Sequence, residues 1–146
     1  MNGLLKVSVL VIVVSAISCQ EFTEEQKKKI LENRKQCIEE TKVNPELIEK
    51  ADQGNFVDDN SLKCFTKCFY QKAGFVNDEG EVQLDVVKAK LPPQADKEQA
   101  LAIVEKCKIK GKDACDTVYL IHKCYFEHTH PELFKKDEPK KEEKKA

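Results

Sequence analysis

This sequence has no excess of charge of either sign. Lysine and arginine number 25 and aspartate and glutamate 26 among 146 residues. The two signs are interspersed, so no basic stripe is offered to nucleic acid or another polyanion. Long hydrophobic runs are missing too. The apolar stretch from Val7 to Ile17 falls short of the roughly 20 residues that cross a bilayer. Glycine is scarce, and its five residues are scattered, so no glycine-rich ion-binding loop is formed. No segment reads convincingly as a strand, and no internal repeat is visible.

The short apolar run follows a basic start at Lys6 and precedes small residues at Ala16 and Ser18. That layout predicts a secretory signal peptide over residues 1–19. Cleavage falls after Ser18 or after Cys19. A lipidated Cys19, suggested by Ala16-Ile17-Ser18-Cys19, is the competing reading. Removing 19 of the 146 residues leaves 127, enough for one domain with a real core. Of the seven cysteines, six then remain, the even count expected of a disulfide framework in a secreted, extracellular chain. That parity favours cleavage after Cys19. The end of the chain, residues 135–146, is almost wholly charged and reads as a solvated, disordered tail. The domain is therefore expected over 20–134.

Helix signals punctuate that stretch. Thr23 with Gln26 forms a capping-box pattern, and the helix it opens runs to about Thr41. Ile30 and Cys37, and Leu31 and Ile38, recur seven apart and predict one apolar stripe. Asn44-Pro45 starts a second helix, ended by Gly54. Asp58 is the expected cap of a third, with Val57 stapled to Leu62 and Gly74 as the stop. Asn77 to Gly80 reads as a turn. A short fourth helix spans about Gln83 to Lys90 and is cut by Pro92-Pro93. Asp96 and Gln99 open a fifth, expected to run to Lys110 before Gly111. Asp113 caps a sixth to about His128, apolar nearly all round and so expected in the middle of an all-α bundle of about six helices.

Cys64 and Cys68 lie four apart. On one helix face their Cβ atoms stand about 5–6 Å apart, beyond the roughly 3.5–4.5 Å of a disulfide, so each should reach a different neighbouring element. Zinc ligation by this pair with His122, His128 or His130 is a second reading, though an oxidising route favours disulfides and no second close ligand pair exists. A redox pair lacks the Cys-x-x-Cys spacing. Cys115 and Cys124 are two and a half helical turns apart, on opposite sides of the sixth helix. Six cysteines still allow fifteen pairings, and spacing alone does not choose one.

The intervals Cys37-x26-Cys64-x3-Cys68-x38-Cys107-x7-Cys115-x8-Cys124 resemble the signature of the insect odorant-binding protein family, over about residues 22–134. The resemblance implies the pairs Cys37–Cys68, Cys64–Cys115 and Cys107–Cys124, interlocking around a hydrophobic cavity. It also implies a ligand lining, which we expect from Phe56, Phe65, Phe69, Phe75, Leu84, Val87, Leu91, Val104, Val118, Tyr119, Ile121 and Phe126, with Phe134 near an opening. Thr66 either presents its hydroxyl to a ligand or bonds back to the preceding helical turn. Tyr70, Tyr119 and Tyr125 are further donors. Protonation of His122, His128 and His130 is expected to loosen the cavity mouth between pH 7 and 5. The charged tail departs from family members whose apolar C-terminus enters the cavity.

The function so implied is non-catalytic: a secreted carrier that binds a small hydrophobic ligand such as an odorant or pheromone and moves it through extracellular fluid. The partners implied are the ligand and a membrane odorant receptor, with the chain a monomer or weak homodimer and no metal or cofactor needed. The alternative on the same fold is an extracellular scavenger of amines or lipids, marked by a charged pocket residue facing an amine. A secreted phospholipase A2 is the enzymatic rival, but His122 is followed by Lys123-Cys124 and the calcium loop is missing.

Overall fold

The computed structural model describes residues 23–134. The signal peptide expected over 1–19 and the solvated tail expected over 135–146 lie outside the described residues. The regular secondary structure of the described residues is helical apart from one isolated antiparallel bridge, Val76 to Val82. Six α-helices follow in order: α1 Glu24–Thr41, α2 Pro45–Asp52, α3 Asn60–Lys72, α4 Leu84–Lys90, α5 Lys97–Lys106 and α6 Ala114–Thr129, then a single 3-10 turn, Pro131–Leu133. None is long and apolar enough to cross a membrane.

The caps explain most of these boundaries. The Thr23 hydroxyl accepts from Gln26 N–H at 3.2 Å while the Gln26 side chain accepts from Thr23 N–H at 2.9 Å, a complete capping box. Asn44, Asp96 and Asp113 each accept from a backbone N–H in the first turn of their helices. The third cap is a correction. Asp59, not Asp58, accepts from Leu62 N–H at 2.8 Å, because only Asp59 stands three residues ahead of that donor. Asp58 instead pairs with Lys63 at 2.7 Å. Val57 is thereby moved out of the stapling position, and its carbonyl accepts from the Tyr119 hydroxyl at 2.6 Å.

Two further expectations fail. Helix α5 stops at Lys106 rather than Lys110, with Cys107 as its cap. Cys107 is fixed to Cys124 of α6, and the chain must then clear α6. A Cβ on Gly111 would sit 2.5 Å from Asp116 Oδ2 and 2.7 Å from the Asp116 backbone, so the passage is closed to any other residue. On α1 the stripe holds only in its second half. Cys37 is fully buried, but Ile30 and Leu31 are 37% and 67% exposed, because no described element covers the start of α1. The expected turn at Asn77–Gly80 is the tip of the Val76–Val82 bridge. Gly80 supplies φ +81° there and lets the Ala114 carbonyl approach to 3.0 Å of where a Cβ would stand.

Helix α3 packs against both α1 and α6. The filled core lies among α1, α2, α3 and α6, with Cys37, Val43, Ile48, Ala51, Leu62, Phe65 and Tyr119 buried in one cluster. Cys64 and Cys68 do reach different elements: Cys68 bonds Cys37 on α1 and Cys64 bonds Cys115 on α6. The third bridge, Cys107–Cys124, joins the end of α5 to α6. These are the pairs that the family resemblance implied. Lys63 beside them is wedged between Asp58 and Asp116, at 2.7 and 2.8 Å. Hydrogen bonding to Asp116 and then to Asp58 pushes the Lys63 ammonium upward in pKa, and the bond to Lys63 holds the Asp116 carboxyl below the usual carboxylate range.

Candidate functional site

Beyond that core the bundle is hollow. A cavity of about 190 Å³ lies between α4, α5, α6 and the end of α3. Its lining on α6 is Val118, Ile121, His122 and Tyr125, one face read at i, i+3, i+4 and i+7. Helix α4 and its end contribute Val87, Lys90 and Leu91, α5 contributes Val104, α3 contributes Tyr70, and the bridged loop contributes Phe75, Val76 and Val82. A second cavity of about 90 Å³ lies on the core side, against Ile48, Ala51, Leu62, Phe65, Thr66 and Phe69, with Arg34 and Asp52 at 2.8 Å from one another among its lining. Tyr70 and His122 line both.

The residues expected from the sequence divide three ways. Phe75, Val87, Leu91, Val104, Val118 and Ile121 line the larger cavity. Phe65, Thr66 and Phe69 line the smaller one instead. Phe56, Leu84, Tyr119, Phe126 and Phe134 line neither. Tyr119 and Phe126 are seven apart on the stripe of α6 next to the cavity face. Phe56 packs edge-on against both, at 5.9 and 5.5 Å between ring centres, and against His122 at 5.6 Å. Phe134 closes this aromatic group by meeting Phe126 at 6.1 Å, edge-on, over Gly54. Leu84 stands one turn ahead of Val87, outside the lining.

Val76, Val82 and Lys90 were not foreseen. A turn flanked by two valines was the available signal for the first two, since residues on either side of a tight turn pair across it. Lys90 is three residues from Val87 and so shares its face. Its ammonium lies 5.0 Å from the centre of the Phe75 ring and donates to the Ala73 carbonyl, at the rim of the cavity.

Few polar atoms enter. The Thr66 hydroxyl is spent on the Leu62 carbonyl at 2.9 Å, the back-bond to the preceding turn. Tyr119 donates to Val57, and burial pushes its phenol up to about 12. The Tyr70 hydroxyl meets His122 Nδ1 at 2.6 Å. Burial raises the Tyr70 phenol and lowers His122 to about 4, with the Asp52 carboxylate pulling weakly the other way. Both are therefore neutral near pH 7, Tyr70 can donate to Nδ1, and the His122 proton is then carried on Nε2. His122 also stays largely neutral at pH 5, so it does not supply the expected release between pH 7 and 5. The arrangement is an apolar chamber with a neutral hydrogen-bonding pair on its inner wall and the Lys90 ammonium at its rim.

A family model described as the PBP/GOBP family matches residues 19–128. General odorant-binding protein 56a of Drosophila melanogaster is 35% identical over 120 residues, 81% of this chain and 86% of that protein. Among solved structures, a fatty acid binding protein from the oral disk of the blowfly Phormia regina is 38% identical. It superposes with a TM-score of 0.63 over 77% of this chain and 97% of its own. An odorant binding protein of Locusta migratoria is 31% identical, with a TM-score of 0.61 over 73% and 83%.

Proposed function

This chain belongs to the PBP/GOBP family, and from that premise we propose that it is a secreted carrier which takes up small hydrophobic molecules reversibly and moves them through extracellular fluid towards a receptor, with no chemical conversion. The observation that carries the reading is the chamber of about 190 Å³, walled by side chains from four helices and almost without polar atoms. A dense core leaves no such space, and an empty one is destabilising. Transfer of about 300 Å² of apolar ligand surface from water is worth about 7 kcal/mol before association costs. A sum of that size suits affinity of micromolar order or weaker and broad selectivity, rather than picomolar specificity.

The lining also bears on the ligand class. Among the described residues no carboxylate borders the larger cavity, and the one cation is Lys90. An amine would meet a like charge at the rim with no counter-ion inside, whereas neutral molecules and carboxylic acids meet neither obstacle. The blowfly relative's designation as a fatty acid binding protein supports the same direction. The amine-scavenging alternative is accordingly disfavoured, while lipid uptake is compatible with the site.

Native mass spectrometry of the oxidised protein against fatty acids, terpenoids, alcohols and amines tests this. One-to-one complexes with acids and neutral molecules are expected. Val104→Phe, which projects a ring into the chamber from α5, should weaken them by about tenfold or more. Binding confined to amines, or binding indifferent to a filled chamber, would overturn the assignment.

A further inference from the structure

The wall between the two cavities consists of Tyr70 on α3 and His122 on α6, joined at 2.6 Å. A buried polar pair that serves only stability is normally packed on every side. This one has open space on two sides. The chamber behind it is lined largely by apolar side chains, among them Ile48, Leu62, Phe65 and Phe69, and reaches the Arg34–Asp52 ion pair. It therefore suits hydrocarbon better than water.

We propose that the Tyr70–His122 bond is a length stop: closed, it confines ligands to the larger cavity, and opened, it fuses both cavities into one channel that admits straight-chain amphiphiles too long for the first. This deepens the carrier reading and rests on it. The energetic logic is a competition. Parting the pair leaves two buried polar groups without partners, a penalty that a short ligand has no means to offset. Each methylene that passes into the rear chamber removes more apolar surface from water. Selectivity for chain length is then set by the pair rather than by the walls of the larger cavity. Either side chain can be altered without touching Val87, Val104 or Val118, which hold the ligand's near end.

The test uses the disulfide-bonded protein and a series of straight-chain alcohols from octanol to hexadecanol, each displacing a fluorescent naphthylamine. In the wild type, affinity should stop rising part-way along the series. His122→Ala should shift the hexadecanol-to-octanol affinity ratio by about tenfold towards the longer chain, the worth of about two newly buried methylenes. Tyr70→Phe, which deletes one oxygen, should shift it the same way by less. Adding Ala51→Leu to His122→Ala fills the rear chamber and should return the ratio to the wild-type value. Far-UV circular dichroism reports whether each variant is folded, and Tyr70→Phe decides the matter if His122→Ala is not. A folded variant with an unchanged hexadecanol-to-octanol ratio, or a gain that survives Ala51→Leu, would overturn the proposal. A wild type that bound none of the alcohols would instead remove the carrier reading beneath it.

Discussion

Acidification should destabilise the fold well above the pH at which its paired carboxylates protonate, and His122 is the reason. An ordinary histidine titrates near 6.5, while burial holds this one at about 4. The unfolded chain therefore binds a proton at this position before the folded chain does. Stability contributed by the neutral imidazole is complete above the unfolded value, falls as pH drops through 6.5, and is exhausted once pH passes below about 4. At about 1.4 kcal/mol per unit, the whole window is worth about 3 kcal/mol, of which about 2 kcal/mol is lost by pH 5. Asp59 and Asp116 act in a different range. Hydrogen bonds from Ser61 and from Lys63 hold these carboxyls below 3.8, so their contribution is present above 3.8 and lost only as pH falls beyond it. Urea unfolding at pH 7 and pH 5 separates the two. Wild type should lose about 2 kcal/mol between them, and His122→Phe, although less stable at pH 7 because Tyr70 loses its partner, should lose far less. His128 and His130 are present in both proteins and cancel from the comparison. Equal losses in wild type and variant would refute the argument, since no other group separates the two chains.

The bridges should rank by the loop each closes. On chain entropy, replacing Cys64 and Cys115 by serine, which frees a separation of 51 residues, should cost about 4 kcal/mol, and the same change at Cys107 and Cys124, with 17, about 3 kcal/mol. Denaturant midpoints give the order, and a costlier short loop would show that native packing, not the unfolded chain, governs. Among the cavity walls, α4 should exchange its amide hydrogens fastest and slow most when ligand is bound. It has seven residues, no side-chain cap, no fully buried residue and no disulfide. Exchange mass spectrometry reading slower protection losses in α4 than in α6 would contradict this.

Where a boundary depended on a side chain close in sequence, it could be read directly. Thr23, Asn44, Asp96 and Asp113 each act on an N–H two or three residues ahead, so their helices start where their chemistry says. Asp58 and Asp59 show the limit of such reading. Both are good caps, and the choice is made by Lys63, which draws Asp58 away to the surface. The end of α5 was not legible for a different reason. Nothing local stops a helix before Gly111. The stop comes from a bond to Cys124 and from the close passage beside Asp116, both supplied by α6.

The cavity was half legible, and α6 explains the division. Its apolar residues form two adjacent stripes, Val118-Ile121-His122-Tyr125 and Tyr119-His122-Phe126, and composition makes them equivalent. The choice between them lies in what each meets. Phe56 covers the second stripe, while among the described residues no side chain of comparable size fills the space before the first. His122 belongs to both, which is why it touches Phe56, bonds Tyr70 and borders each cavity at once. A histidine on such a helix reads in sequence as a surface or pH-sensing group. Its depressed proton affinity and its place on the wall arise from packing that Phe56, in the loop after α2, and Tyr70 of α3 bring to it. The sequence position least informative by composition thus carries the boundary between the filled half of the molecule and the hollow half.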